Sequence, residues 1–241
     1  MKTMTRFKAV WLVLMALVTC LPTVRAASQA PEVLSAEQVL NKTGKTIAEW
    51  GAEWWQWAFD NPDFLFDTSG KFADLGDVGG PVFFAQGSGG VPVHASFYVP
   101  GGQYVLLPVA TYLWTFFPPC ADAACAREIV NDHFLAGIIE VSVQIDGEPV
   151  GNISEHLVRV DDRNPLVFQV DAGPIQPDGY GGMLDAVQGG CWIMLTPLPP
   201  GKHRVTSFAR VPNLDPVTGE ILEGYFDLNA KLNMLPAPKG H

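Results

Sequence analysis

The sequence predicts a mainly β protein, an antiparallel β-sandwich or jelly roll with an N-terminal tryptophan-rich helix and one inserted short helix. Three observations carry that expectation. From Gly79 onward the chain breaks into strand-length apolar runs bounded by Gly, Pro, Asn and Asp. The closing run "YFDLNAKLNML" alternates strictly, with Phe226, Leu228, Ala230, Leu232 and Met234 on one side and Asp227, Asn229, Lys231 and Asn233 on the other. That is the period of a half-buried strand with one wet face. Ahead of the strands, "EWGAEWWQWAFDNPDF" holds four of the chain's seven tryptophans in eight positions.

Taken in order, the N-terminus reads as a secretory signal. Lys2, Arg6 and Lys8 precede an apolar run from Ala9 to Cys20 that is too short to span a bilayer, and "TVRAAS" offers small residues for cleavage after Ala26. Residues 1–26 are thus expected to be a signal peptide, 27–235 a single sandwich domain with its helix, and 236–241 a flexible tail. No later segment is long and apolar enough to cross a membrane, so the expected location is secreted or periplasmic. Removing residues 1–26 takes away four basic residues and no acid, moving the net charge from −10 to −14. Such a surface repels phosphate backbones, which argues against a nucleic-acid partner.

Residues 28–44 read as a short helix and a turn. The next helix is expected from Thr46, with Thr46 or Lys45 near its start and "DNP" at its end, because Pro62 and the residue before it resist continuation. Within it Trp50, Trp54 and Trp57 recur at i, i+4 and i+7, a core-facing stripe, while Trp55 points elsewhere. The strand-length runs are "PVFFAQ", "HASFYVP", "QYVLLPVATYLWTFF", "IIEVSVQIDG", "HLVRVDD", "PLVFQVD", "GCWIMLTPL" and "KHRVTSFARV". "CAREIVNDHFLAG" interrupts them as a helix with Ile129, Val130 and Phe134 on its apolar side. Many short strands with Gly and Pro turns are the mark of a sandwich.

Three cysteines follow the signal. Cys120 and Cys125 frame "CADAAC" beside Pro118 and Pro119 and are expected to form a local disulfide. Cys191, in the apolar run "GGCWIML", is expected to be a buried free thiol. No spacing of Cys or His matches a zinc site, and neither a phosphate-binding glycine loop nor a G-x-S-x-G elbow is present.

The blocks "WWQWA", "NP…DTSG", "GGPVFF", "VPGGQYVLLPV" and "LPPGKH" together resemble a group of secreted bacterial proteins of uncharacterised activity. That group shares W-W-x-W-A, G-P-V-x-F, V-P-x-G and L-x-P-G-x-H in this order, across most of the mature chain. The resemblance implies export and no reaction. The chain departs from the pattern at Cys191, where the group tends to carry an aromatic residue.

The candidate binding residues cluster around the tryptophan helix. Trp55, off the core stripe, is the surface aromatic, next to Asp60, Asp63 and Asp67; His94 is the further polar candidate. Aromatic faces stack sugars and other flat ligands. Three close carboxylates suit calcium, although EF-hand spacing is absent and capping or Asx turns use aspartate in the same way. His133, His156 and His203 stand apart in sequence with no metal-ligand pairing, so no metal centre and no cofactor is expected. The leading reading is a non-catalytic protein that binds a small molecule, carbohydrate included, or a partner. The alternatives are a small hydrolase or lyase using rim carboxylates and a histidine, and a structural partner of the cell envelope.

Overall fold

The computed structural model describes residues 32–65, 67–88, 90–118, 120–173, 182–214 and 221–237. Residues 1–26, expected to be a signal peptide, the segments 174–181 and 215–220, and residues 238–241 of the expected tail lie outside the described residues.

Helix α1 (Ala36–Thr43) and helix α2 (Ile47–Asp60) each open on a capping box, Ser35 with Gln38 and Thr46 with Glu49. Each box satisfies two N–H groups that a helix start would leave open. Gly44, at φ 78°, ends α1 in the left-handed conformation that an L side chain resists. A one-turn helix, α3 (Pro62–Leu65), follows α2 directly.

Ten strands form two five-stranded sheets. β1 (Val82–Phe84), β3 (Tyr104–Thr115) and β8 (Met183–Leu195) build the first, with β6 (Leu157–Val158) and β7 (Phe168–Asp171) both paired to β8. The second runs β2 (Val93–Val99), β10 (Ile221–Met234), β9 (Gly201–Leu214), β4 (Glu140–Ile145), β5 (Glu148–Pro149). This is the expected sandwich. Most pairings are antiparallel, but two are parallel: β1 beside β3 and β2 beside β10. The chain alternates between sheets over β1, β2 and β3, so β3 returns in the direction of β1.

Side chains of Phe83, Leu107, Val187, Ile193, Val205 and Leu232 meet between the sheets in the main core. The opposite face of the first sheet is also covered, because Trp50 and Trp54 of α2 pack with Val82, Leu106, Trp192 and Met194. The molecule therefore stacks as helix, sheet, sheet. Gly51 makes the closest approach in the upper interface: a Cβ there would stand 2.7 Å from Gln188 Nε2. Gln188 in turn donates to the Ala48 carbonyl (3.1 Å) and accepts from Trp192 Nε1 (2.9 Å).

The inserted helix divides into α4 (Ala123–Glu128) and a wider π-type turn over Ile129–Leu135. The widening brings Val130, Asn131, Phe134 and Leu135 all inward, and Asn131 clamps Val160 through two hydrogen bonds, at 2.8 and 3.0 Å. Cys120 and Cys125 stand as the expected disulfide pair, with Cα atoms 5.5 Å apart. Cys191 is free and fully buried, and burial pushes its thiol pKa up to about 12. Among the described residues no helix is long and apolar enough to cross a membrane.

Candidate functional site

The tryptophans divide differently from their helical spacing. Trp54 is the centre, 2% exposed, with its Nε1 donating to the Ala85 carbonyl at 2.9 Å and its ring edge-on to those of Trp55, Trp57, Phe64 and Trp192. Trp50 is buried as expected and donates to Thr43 Oγ1 at 2.8 Å. Trp57, expected in the core with them, is only half-buried at the margin, against Phe64 and Phe84. It stands in the last turn of α2.

Trp55, expected on an open surface, is half-buried and lines a cavity of about 50 Å³. The helical layer contributes Trp54, Trp55, Phe64 and Leu65 to its wall. Below them stand Gln86 and Ser88 from the segment after β1, Pro108 and Thr111 of β3, and Phe226 of β10. The cavity forms where β1 stops: among the described residues no strand pairs with this edge of β3 beyond Leu106, the partner of Phe84. At that point β3 carries a bulge between Pro108 and Ala110, the place a proline with no N–H to give is accommodated.

Two polar atoms in this wall have no protein partner. Trp55 Nε1, a donor, and Gln86 Oε1, an acceptor, are both buried and unsatisfied. Gln86 is 1% exposed, and its Nε2 is fixed by the carbonyls of Phe64 (3.0 Å) and Asp67. With the amide nitrogen so held, the side-chain oxygen is committed to a single direction. Ser88 is different, because its Oγ donates to the Val91 carbonyl and accepts from the Asp227 N–H (3.1 Å). That hydroxyl is occupied structurally. Buried polar groups left open in this way forfeit about 1–3 kcal/mol each unless something fills the space.

The acidic candidates do not gather here. Asp60 and Asp63 are exposed at the helix end. Asp67 forms an Asx turn: Oδ1 accepts from the Ser69 N–H (2.8 Å) and Oγ (2.6 Å), and Oδ2 from the Phe72 N–H (3.2 Å). Burial works to raise its pKa, but the bonds from Ser69, Phe72 and Lys71 outweigh that and hold it below the ordinary value. Only the Asp67 backbone reaches the cavity, through Gln86. His94 points to solvent from β2, on the outer face of the second sheet, and does not join Trp55.

The remaining histidines are also dispersed. His203 is held between Asp146 Oδ2 (2.7 Å) and the Pro199 carbonyl (3.0 Å), tying the start of β9 to the β4–β5 turn. Burial lowers the pKa of His156, with Glu155 opposing, and His133 lies at the surface near Glu128. Among the described residues no three His, Cys, Asp or Glu side chains converge.

A second concavity, about 300 Å³, lies between the start of α2 and residues 159–166. It holds Glu49 and Asp161, whose carboxylates are engaged locally. The Thr46 backbone and hydroxyl lower the Glu49 pKa, and the Asn164 and Arg163 N–H groups lower that of Asp161. Neither is left as a general base aimed at the groove, and no histidine lines it.

Phe64, Leu65, Gln86, Ser88, Pro108 and Thr111 line the wall without having been candidates in the sequence. A signal existed for Gln86, an amide closing the apolar run "PVFFAQ" just before glycine. Compared with known proteins, the chain gives no match to a family model, a curated protein or a solved structure.

Proposed function

We propose that this is an exported, non-catalytic binding protein whose Trp55–Gln86 cavity seats the hydroxyl end of a small neutral ligand, such as a polyol or sugar. The observation that carries the reading is the pair of unsatisfied atoms in one apolar wall. A hydroxyl is both the acceptor that an indole N–H needs and the donor that an amide oxygen needs. A carboxylate satisfies only the indole, and an ammonium only the amide.

Volume limits the fit. A cavity of roughly 150 Å³ takes benzene, so about 50 Å³ admits a hydroxymethyl-sized group and not a whole ring. The rest of the ligand would lie outward past the half-buried Trp55 and Leu65. An apolar wall with few placed polar groups is the ordinary make-up of a binding pocket. The described wall residues contain no acid, base or histidine, which favours binding over hydrolysis.

The test is Trp55→Phe, which keeps the ring and removes the donor. Titration with glycerol, short polyols and monosaccharides, followed by tryptophan fluorescence and thermal shift, should saturate for the wild type and weaken at least tenfold in the variant. No saturable response from any of them would leave an ordered water as the occupant and sink the proposal.

A further inference from the structure

The outer face of the second sheet carries a feature unconnected with the cavity. Alternation puts His94, Ser96 and Tyr98 of β2 on this face, with Asn229, Lys231 and Asn233 of β10 beside them. On β9, Lys202 and Arg204 point the same way. Register then makes Lys231 the direct cross-strand partner of Arg204, and Asn233 that of Lys202. Directly opposed residues have Cβ atoms about 4.5–5.5 Å apart, and like charges so placed are destabilising. Lys202 stands about 7 Å further along β9.

Three cations thus crowd one end of a flat face on a chain whose net charge is −10. Among the described residues none of the three has an ion pair. Among the described residues the one side-chain bond made by these three cations is from Arg204 Nε to Asn229 Oδ1 (3.3 Å), while Asn233 Nδ2 donates to Ser96 Oγ (2.9 Å) and the Phe97 carbonyl (3.1 Å). Asp227 lies on the same face of β10 but four residues from Lys231, about 13 Å along the strand. Asp146 bonds His203 and the Arg204 N–H, and Asp74 accepts from the Tyr98 N–H at the edge of β2. Repulsion between Lys231 and Arg204 is relieved by an anion lying across them.

We propose that this face binds a carboxylated polysaccharide, a chain of uronate type, with carboxylates bridging Lys231 and Arg204. The surrounding groups suit sugars: the Tyr98 ring, 55% exposed, offers a stacking surface, and Asn229 Nδ2 and Asn233 Oδ1, the halves of two amides not bonded to Arg204 or to Ser96 and Phe97, stand beside it for hydroxyls. Shape and charge select a thin strand. Screening confines the patch's attraction to about 8–10 Å at moderate salt. A single polymer chain lies within that reach, whereas a bilayer or duplex would also meet the acidic remainder of the surface. This inference does not depend on the cavity being a ligand site.

Affinity electrophoresis of the full chain through gels containing polygalacturonate tests it, with neutral dextran as control. Retardation should be strong at low salt, disappear at roughly 0.5 M salt where screening shortens to a few Å, and be absent with dextran. The double variant Arg204→Gln, Lys231→Gln should weaken the apparent affinity at least tenfold, while Arg163→Gln, elsewhere on the surface, leaves it unchanged. Thermal melting of the double variant should be equal to or above wild type, because the substitution removes a repulsion. Equal retardation of the double variant, equal retardation by dextran, or no retardation at all would overturn the proposal. Tighter binding to phosphatidylglycerol vesicles or to poly-uridylate at the same ionic strength would overturn it too.

Discussion

In β8 every residue from Ala186 to Leu195 is buried, whereas in β10 buried Leu228, Ala230, Leu232 and Met234 alternate with wetted Asn229, Lys231 and Asn233. Both are long strands in one sandwich. They differ in what lies behind them: β8 has the second sheet on one face and α2 on the other, and β10 has a core on one face and water on its other. A strand covered on both sides has no position at which a charge is tolerated, so its sequence becomes continuously apolar. A strand covered on one side keeps a free face, and on this molecule that face carries the unpaired cations. The helix layer therefore decides which sheet can take part in recognition at its surface.

Removing the helix layer's anchor should have the largest effect. Trp54→Ala deletes the ring that joins α2 to β8 and should lower stability by about 3–5 kcal/mol in urea melts. Trp57→Ala, at the half-buried margin, should lower it clearly less; equal losses would show the helix layer to be uniformly packed.

Neighbouring substitutions in the two strands sharpen the contrast. Ile193→Ala and Met194→Ala, adjacent in β8 on opposite faces, should each cost about 2–5 kcal/mol. In β10, Leu232→Ala should cost a similar amount while Lys231→Ala stays within about 0.5 kcal/mol. A tolerated Met194→Ala would show that α2 does not cover β8 as described.

Gly190 tests the close approach inside the first sheet. A Cβ there would lie 2.4 Å from the Ala110 carbonyl oxygen and 2.5 Å from Thr111 Cα, both backbone atoms. Gly190→Ala should therefore cost about 1–3 kcal/mol by overpacking, read from the same melts.

The last effect is absent at neutral pH and emerges only in alkali. Burial raises the Cys191 pKa to about 12 from an ordinary 9, so the unfolded chain releases this proton first. Its contribution is constant below pH 9 and falls by about 1.4 kcal/mol per pH unit above it, up to about 12. Stability curves of wild type and Cys191→Ala should converge across that range. Native-state alkylation should also spare Cys191 until denaturant is added.

Much of this contrast was legible in the residues themselves. The strict alternation of residues 226–234 announced a strand with one wet face, and Thr46 and Pro62 marked helix limits to within a residue. The first half of β8 was harder to see, because Asp185, Gln188, Gly189 and Gly190 interrupt its apolar run. Those residues are there for tertiary reasons: Gln188 joins α2 to Trp192, and the glycines admit β3 and the inserted helix at close range. β5, two residues long, offers no pattern to read. The cavity was legible only in part. Helical spacing set Trp55 apart from the core stripe, but the cavity it lines also needs Gln86, some thirty positions later in the chain. Proximity in sequence likewise suggested that Asp60 and Asp63 accompany Trp55, whereas the end of α2 turns them to solvent.

The parallel pairing of β2 with β10 also sets an order of events in time. Asn233 bonds to Ser96 across 137 positions, and the register runs from Val93–Leu228 to Val99–Met234. A chain made from its N-terminus exposes the edge of β2 long before the strand that covers it exists. Pairings of such long range are slow to form, and an uncovered edge invites pairing with another chain in the meantime. Whatever holds this chain open before its last strand is available protects it from its own copies, and a chain truncated before Ile221 would keep that edge exposed for good.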